Sequence, residues 1–219
     1  RTMLVGCIAI AGIPPLAGEA LEERGGNYIG VEADGVTPGP NGIGINVATL
    51  GSTLIGNITI GGKLPGQRNV ISGNTLYGIK IDNLNKDNTY LYIVNNYIGT
   101  TADGTAPLPN VRQGIHLTNI DNTTIQIEIG GDEEGEGNLI AGNGYDGILL
   151  DTCWRAKIWG NKMSTNADAS AYLPNQYADI LIKKGYLMEI GGDISEKGNV
   201  LLNGVAIEGD SVTYTEEVL

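Results

Sequence analysis

The chain is 219 residues long and 41% hydrophobic, with 34 Gly, no Phe and a formal net charge of -12. That length can bury a sizeable core, which has to be assembled from Ile, Leu and Val rather than aromatic rings. Only 13 Lys and Arg face 25 Asp and Glu, which argues against a nucleic-acid partner because phosphates require clustered cations. No run reaches the roughly 18 apolar residues of a membrane span.

In chain order, the first element is the apolar, β-prone segment "TMLVGCIAI", residues 2–10. Leu4, Val5, Gly6 and Cys7 match a lipoprotein-type cleavage site. In such a signal, however, the apolar run precedes the cysteine, and only six residues precede this one. The segment is therefore read as a folded strand. "PPLAGEALEERGG", residues 14–26, is predicted as a short helix, with Pro at its start, Ala, Leu and Glu inside and Gly25 as its stop. It is expected to cover the open first coil of a repeating array.

From Tyr28 onward the same landmarks recur. One unit type begins at Tyr28 ("YIGVEADGVTPGPNGIGIN"), Tyr97 ("YIGTTADGTAPLPNVRQGIHLT") and Lys162 ("KMSTNADASAYLPNQYADILIK"). The other begins at Ile60 ("IGGKLPGQRNVISGNTLYGIKID"), Ile129 ("IGGDEEGEGNLIAGNGYDGILLD") and Ile190 ("IGGDISEKGNVLLNGVAIEGD"). The two types alternate. Their marks, Ile29, Ile60, Ile98, Ile129, Met163 and Ile190, lie 31, 38, 31, 34 and 27 residues apart, and a fixed period of this size signals a solenoid.

Inside each unit apolar residues alternate with polar ones: Ile79 and Ile81 with Lys80 and Asp82, Ile115 and Leu117 with His116 and Thr118, Ile127 and Ile129 with Gln126 and Glu128. Period two means strands with one buried face. Units repeating in one direction place equivalent strands in parallel, and no amphipathic crossover helix separates them. The expectation is an all-β, right-handed parallel β-helix of about six to seven coils over residues 27–210, with 1–26 as the N-terminal strand and helix and 211–219 as a β tail. Ile79, Ile115, Ile148 and Ile180 should form one inward column. Asn74, Asn110, Asn143 and Asn175, each four residues before a Gly-Ile-x-Ile position or its equivalent, should stack into a corner ladder.

The phrases "NVISGN" followed by "GIKI", and "NNYIGTTADGTAPLPN", resemble the right-handed parallel β-helix repeat proteins of pectin-lyase-like fold, common in secreted and surface-attached bacterial and archaeal proteins. The resemblance covers residues 25–210. It implies an extracellular or cell-surface location. It leaves function open, because related coils serve lyases, hydrolases, epimerases, tailspikes, adhesins and fibres.

Outward residues of a solenoid form columns. One is read as Gly44, Lys80, His116, Leu149 and Leu181, the next as Asn46, Asp82, Thr118, Asp151, Lys183 and Glu208. Lys80, Asp82, His116 and Asp151 then share a face, with the carboxylates two coils, about 9.6 Å, apart, at the upper edge for an inverting glycosidase pair. A repeat also generates polar outward columns without any chemistry. The reading therefore leans to a non-enzymatic structural, adhesive or filament-forming module that binds a polysaccharide or surface glycan, with a polysaccharide lyase or glycoside hydrolase as the alternative.

No organic cofactor is expected. Asp132, Glu133, Glu134 and Glu136 offer hard oxygen ligands suited to calcium, or else form a solvated acidic loop. Asp34, Asp103 and Asp168 recur every second coil, as turn formers or as a repeated glycan or cation contact. Tyr28, Tyr77, Tyr92, Tyr97 and Tyr145 stand near turns or strand ends, where rings stack on sugars or close apolar stacks. Cys7 and Cys153 fall about four coils apart, on the order of 19 Å, and are expected as free thiols. The β-prone ends, "TMLVGCIAI" and "SVTYTEEVL", suggest head-to-tail self-association.

Overall fold

The structure, a computed structural model, describes residues 26–48, 57–85, 87–191 and 197–208 together with the strands Met3–Leu4, Ile8–Ala9 and Tyr214–Glu216. Cys7 and, apart from Gly26, the segment predicted as a helix lie outside the described residues, as does most of the 211–219 tail. The chain winds through three parallel sheets of seven, seven and six strands. Sheet one holds two-residue strands such as Tyr97–Ile98 and Leu139–Ile140. Sheet two holds longer ones, among them Ile79–Asp82, Ile115–Ile120, Ile148–Trp154 and Ile180–Tyr186. Sheet three holds Tyr90–Val94, Gln126–Gly130, Ala156–Trp159 and Met188–Ile190. From Tyr28–Ile29 onward successive strands visit sheets one, two and three in turn, which makes a parallel β-solenoid. A short 3-10 turn, Pro65–Gln67, lies in the loop between sheets three and one.

Parallel pairing aligns Ile45, Ile79, Ile115, Ile148, Ile180 and Val205, and the four central isoleucines are 0% exposed. The predicted inward column is therefore present. Sheet three contributes Ile60, Ile93, Ile129, Ile158 and Ile190, sheet one Ile29, Ile71, Ile98, Ile140 and Met163, all in one continuous core. Each such side chain contributes about 1.5–3 kcal/mol by leaving water.

The Asn ladder forms as expected. Asn41 donates to Asn74 (3.3 Å), Asn74 to Asn110 (2.8 Å), Asn110 to Asn143 (3.0 Å) and Asn143 to Asn175 (3.0 Å), each from Nδ2 to Oδ1. Asn175 then donates to the buried carboxylate of Asp179 at 3.0 Å. This ladder also accounts for the Ile-Gly mark. Gly30 and Gly99 sit at φ +82° and +88°, where a Cβ would stand 2.3 and 2.5 Å from the Oδ1 of Asn74 and Asn143.

A second ladder, not predicted from the sequence, stands at the entry to sheet one. Asn27, Asn69, Asn96, Asn138, Asn161 and Asn199 are linked in the same sense at 2.9–3.1 Å. Its amides are fully used: Asn138 Oδ1 also accepts from Asn96 N at 2.9 Å, and its Nδ2 also donates to Ile93 O at 2.7 Å. Complete satisfaction is what lets a buried amide network stabilise rather than strain a core.

Two column assignments need correction. Asn46 and Ala48, not Gly44 and Asn46, pair with Lys80 and Asp82. Residues 42–45 read Gly-Ile-Gly-Ile, and the second Gly-Ile pair, not the first, aligns with Gly78 and Ile79, which moves the register by two. Asp151 pairs with Lys184 rather than Lys183, because the partnership of Ile148–Trp154 with Ile180–Tyr186 shifts register on both sides of Asp151.

Candidate functional site

Two outward faces carry the polar chemistry. On sheet two, Lys80 neighbours His116, and Asp82, Thr118 and Asp151 are successive strand partners. The four residues expected from sequence thus share a face. Lys80 Nζ lies 3.7 Å from Asp82 Oδ2, and Asn119 Nδ2 donates to Asp82 Oδ1 at 3.4 Å. The imidazole of His116 tilts against Tyr77, ring centroids 5.1 Å apart. Both its nitrogens are buried without a partner. Burial, aided by the Lys80 charge, holds its pKa below the ordinary value, so the ring is neutral at pH 7. Leu149, its neighbour in the next coil, is only 5% exposed although it points outward. Asp151 is followed by Thr152 at φ 61°, a left-handed conformation costly for a β-branched residue.

On sheet three the residue before each inward Ile builds a column of Thr59, Tyr92, Glu128, Lys157 and Glu189. With Gln126 and Arg155, the last four line a cavity of about 280 Å³. Tyr92, which lines the cavity, stacks on Tyr90 two residues earlier on the same strand, ring centroids 6.2 Å and planes 6° apart. Burial raises the pKa of Glu128. Burial, then the Glu128 charge, raises that of Tyr92. The Lys157 ammonium lies 4.5 Å from the ring centre of Trp159. Arg155 and Leu187, both lining the cavity, have φ of 58° and 52°, and strained non-glycine backbone tends to gather at working sites.

The remaining predicted residues serve turns. Asp34 accepts from the Val36 and Thr37 amides at 2.9 Å each, Asp103 from the Thr105 amide at 3.0 Å and Asp168 from the Ser170 amide at 3.0 Å. These bonds hold all three carboxyls below the usual range, with side-chain bonds to Thr37, Thr101 and Ser170 as the largest causes. The loops bearing them touch across the intervening coil, Ala102 N to Gly35 O at 2.9 Å and Ala167 N to Gly104 O at 3.0 Å.

In the acidic loop Asp132, Glu133 and Glu134 are exposed and Glu136 is buried. Glu136 Oε2 accepts from Glu133 N at 3.0 Å, as Gln67 Oε1 accepts from Leu64 N at 2.9 Å in the matching loop. Lys63 reaches Glu136 at 2.6 Å and Glu133 at 3.0 Å, and these carboxylates hold its pKa above the ordinary lysine value. Among the described residues no three His, Cys, Asp or Glu side chains converge as a metal site. Cys153 is a free, buried thiol whose pKa burial pushes up to about 12.

Of the sheet-three groove the sequence singles out Tyr92, as a ring that stacks on sugars or closes an apolar stack, and Gln126 and Glu128 as outward residues, but neither Arg155, Lys157 and Glu189 nor the grouping. Aligning the residue before each Ile of the third strand exposes the column. Comparison with known proteins finds no matching family model, no matching curated protein and no matching solved structure. Among the described residues no helix is long and apolar enough to cross a membrane.

Proposed function

We propose that this chain is an extracellular or cell-surface β-helix of the right-handed, pectin-lyase-like type, a structural or adhesive module that binds polysaccharide along the outer face of sheet three. The observation that carries this reading is the groove itself, with stacked Tyr90 and Tyr92 beside Gln126, Glu128, Arg155, Lys157 and Glu189. Sugars offer an apolar ring face to aromatic side chains and hydroxyls to polar ones. The strand spacing of about 4.8 Å is close to the length of one pyranose unit, so an extended chain along the solenoid axis presents one sugar to each coil. Affinity electrophoresis against neutral and acidic polysaccharides tests the proposal. Retardation by at least one polymer, weakened about tenfold or more in Tyr92→Ala, is expected. Mobility unaffected by every polymer would overturn it.

A second reading, a lyase or hydrolase working over Lys80, Asp82, His116 and Asp151, is favoured by the strained Thr152 and the register shifts beside Asp151, since bulges and strain accompany reacting sites. Release of reducing ends or unsaturated products from the same polymers, lost in Asp82→Ala, is its expected signature. Intact polymers after prolonged incubation remove it.

A further inference from the structure

If one sugar faces each coil, the groove reads four successive units, and each coil states a different preference. The Tyr90–Val94 strand offers two stacked rings. Gln126–Gly130 offers Gln126 and the carboxylate of Glu128. The next coil offers two cations, Arg155 and Lys157, and the one after it Leu187 and the carboxylate of Glu189. Along the axis the charge therefore runs neutral, negative, positive, negative.

Neither cation is held in a close ion pair among the described residues. Lys157 makes no ion pair among the described residues and rests against Trp159. Arg155 likewise makes none, and donates Nη1 to the Thr123 carbonyl at 3.3 Å. Arg155 and Lys157 stand two residues apart on one coil, Lys157 between the carboxylates of Glu128 and Glu189 in strand register, and a planar guanidinium beside an ammonium suits a carboxylate. The carboxylates on either side repel a negative unit at the neighbouring positions.

We propose that sheet three selects a heteroglycan in which uronate units alternate with units carrying no negative charge, the uronate lying on Arg155 and Lys157 and its neighbours on Glu128 and Glu189. This rests on the glycan-binding reading and goes further by excluding a uniform polyuronate as the preferred ligand.

Three probes decide it by calorimetry: an alternating uronate and N-acetylhexosamine glycan such as hyaluronan, the same polymer with its carboxyls reduced to alcohols, and a homopolyuronate. The alternating polymer is expected to bind about tenfold more tightly than either of the others. The double variant Arg155→Gln, Lys157→Gln should erase its advantage over the reduced polymer, and Glu128→Gln, Glu189→Gln should raise homopolyuronate affinity, with thermal melts confirming that both fold. If the reduced polymer or the homopolyuronate binds as tightly as the alternating one, the inference fails and glycan binding stands. If none of the three polymers binds and the wider panel is also silent, both fall together.

Discussion

The outer faces of sheets two and three are built alike, from parallel strands whose every second residue points to solvent, yet they spend those positions differently. On sheet two, Lys80 lies against Asp82, His116 is half-buried under Tyr77 and Leu149 is covered. On sheet three, Arg155 and Lys157 stay outside ion pairs and the side chains stand around a cavity. Polar residues brought onto one face are thus a weaker sign of a ligand site than polar residues that stand around an opening. On the first face Lys80 and Asp82 satisfy one another. The second line a cavity.

Both faces depend on the same core, so the largest expected effect comes from breaking it. Ile115→Asp should prevent folding, because a charge at a fully buried position with no counter-ion costs more than the whole domain's stability margin; loss of the cooperative thermal transition is the measurement. Next are the ladders at the corners that set the two faces apart. Asn138→Ala removes an amide whose neighbours Asn96 and Asn161 then lose partners, and should cost about 1–3 kcal/mol in urea unfolding. Asn110→Ala, between Asn74 and Asn143, should cost a similar amount.

A smaller effect separates the faces directly. Asp82→Ala and His116→Ala should leave polysaccharide affinity within about twofold of the parent, while the groove variant Tyr90→Ala weakens it. Equal losses on both faces would mean that the ligand spans them. The smallest effect is the pH response of His116. Its folded pKa lies below the unfolded value of 6.5, so its contribution to stability is complete above about pH 6.5 and declines as the pH falls toward the folded pKa, where the unfolded chain alone is protonated. His116→Gln should flatten that part of the curve of stability against pH.

Legibility in the sequence divides along the same line between inside and outside. The inward column of Ile79, Ile115, Ile148 and Ile180 is legible because a period of two and a recurring mark constrain it twice. The first ladder is legible because its asparagines keep a fixed offset from the Gly-Ile position. The second keeps an equally fixed offset, each Asn standing two residues before the inward side chain of sheet one, as in Asn96 before Ile98 and Asn138 before Ile140. It escapes notice because Asn at a strand entrance reads as an ordinary turn residue. Outward columns are harder. Nothing in local pattern fixes their register where two Gly-Ile pairs stand in tandem, as at residues 42–45, or a bulge intervenes, as at Asp151. The groove is hidden for a further reason: its residues come from four different coils and share no repeated motif. The cavity that they line exists only once the chain is wound.

Both ladders also have a direction. In every link the Nδ2 of one coil donates to the Oδ1 of the coil that comes after it in sequence, so the carboxamide dipoles add head to tail along the axis, much as peptide dipoles do in an α-helix. The solenoid is therefore a polarised rod, with its electropositive pole toward the later coils. At that pole the first ladder does not finish on another amide but on the carboxylate of Asp179, which also accepts from the Asn203 amide at 2.8 Å. An anion at the donor end is the charge that such a dipole favours, so Asp179 neutralises the donor terminus of the first ladder, whereas the second ends on the amide of Asn199, which donates to the Ile158 carbonyl.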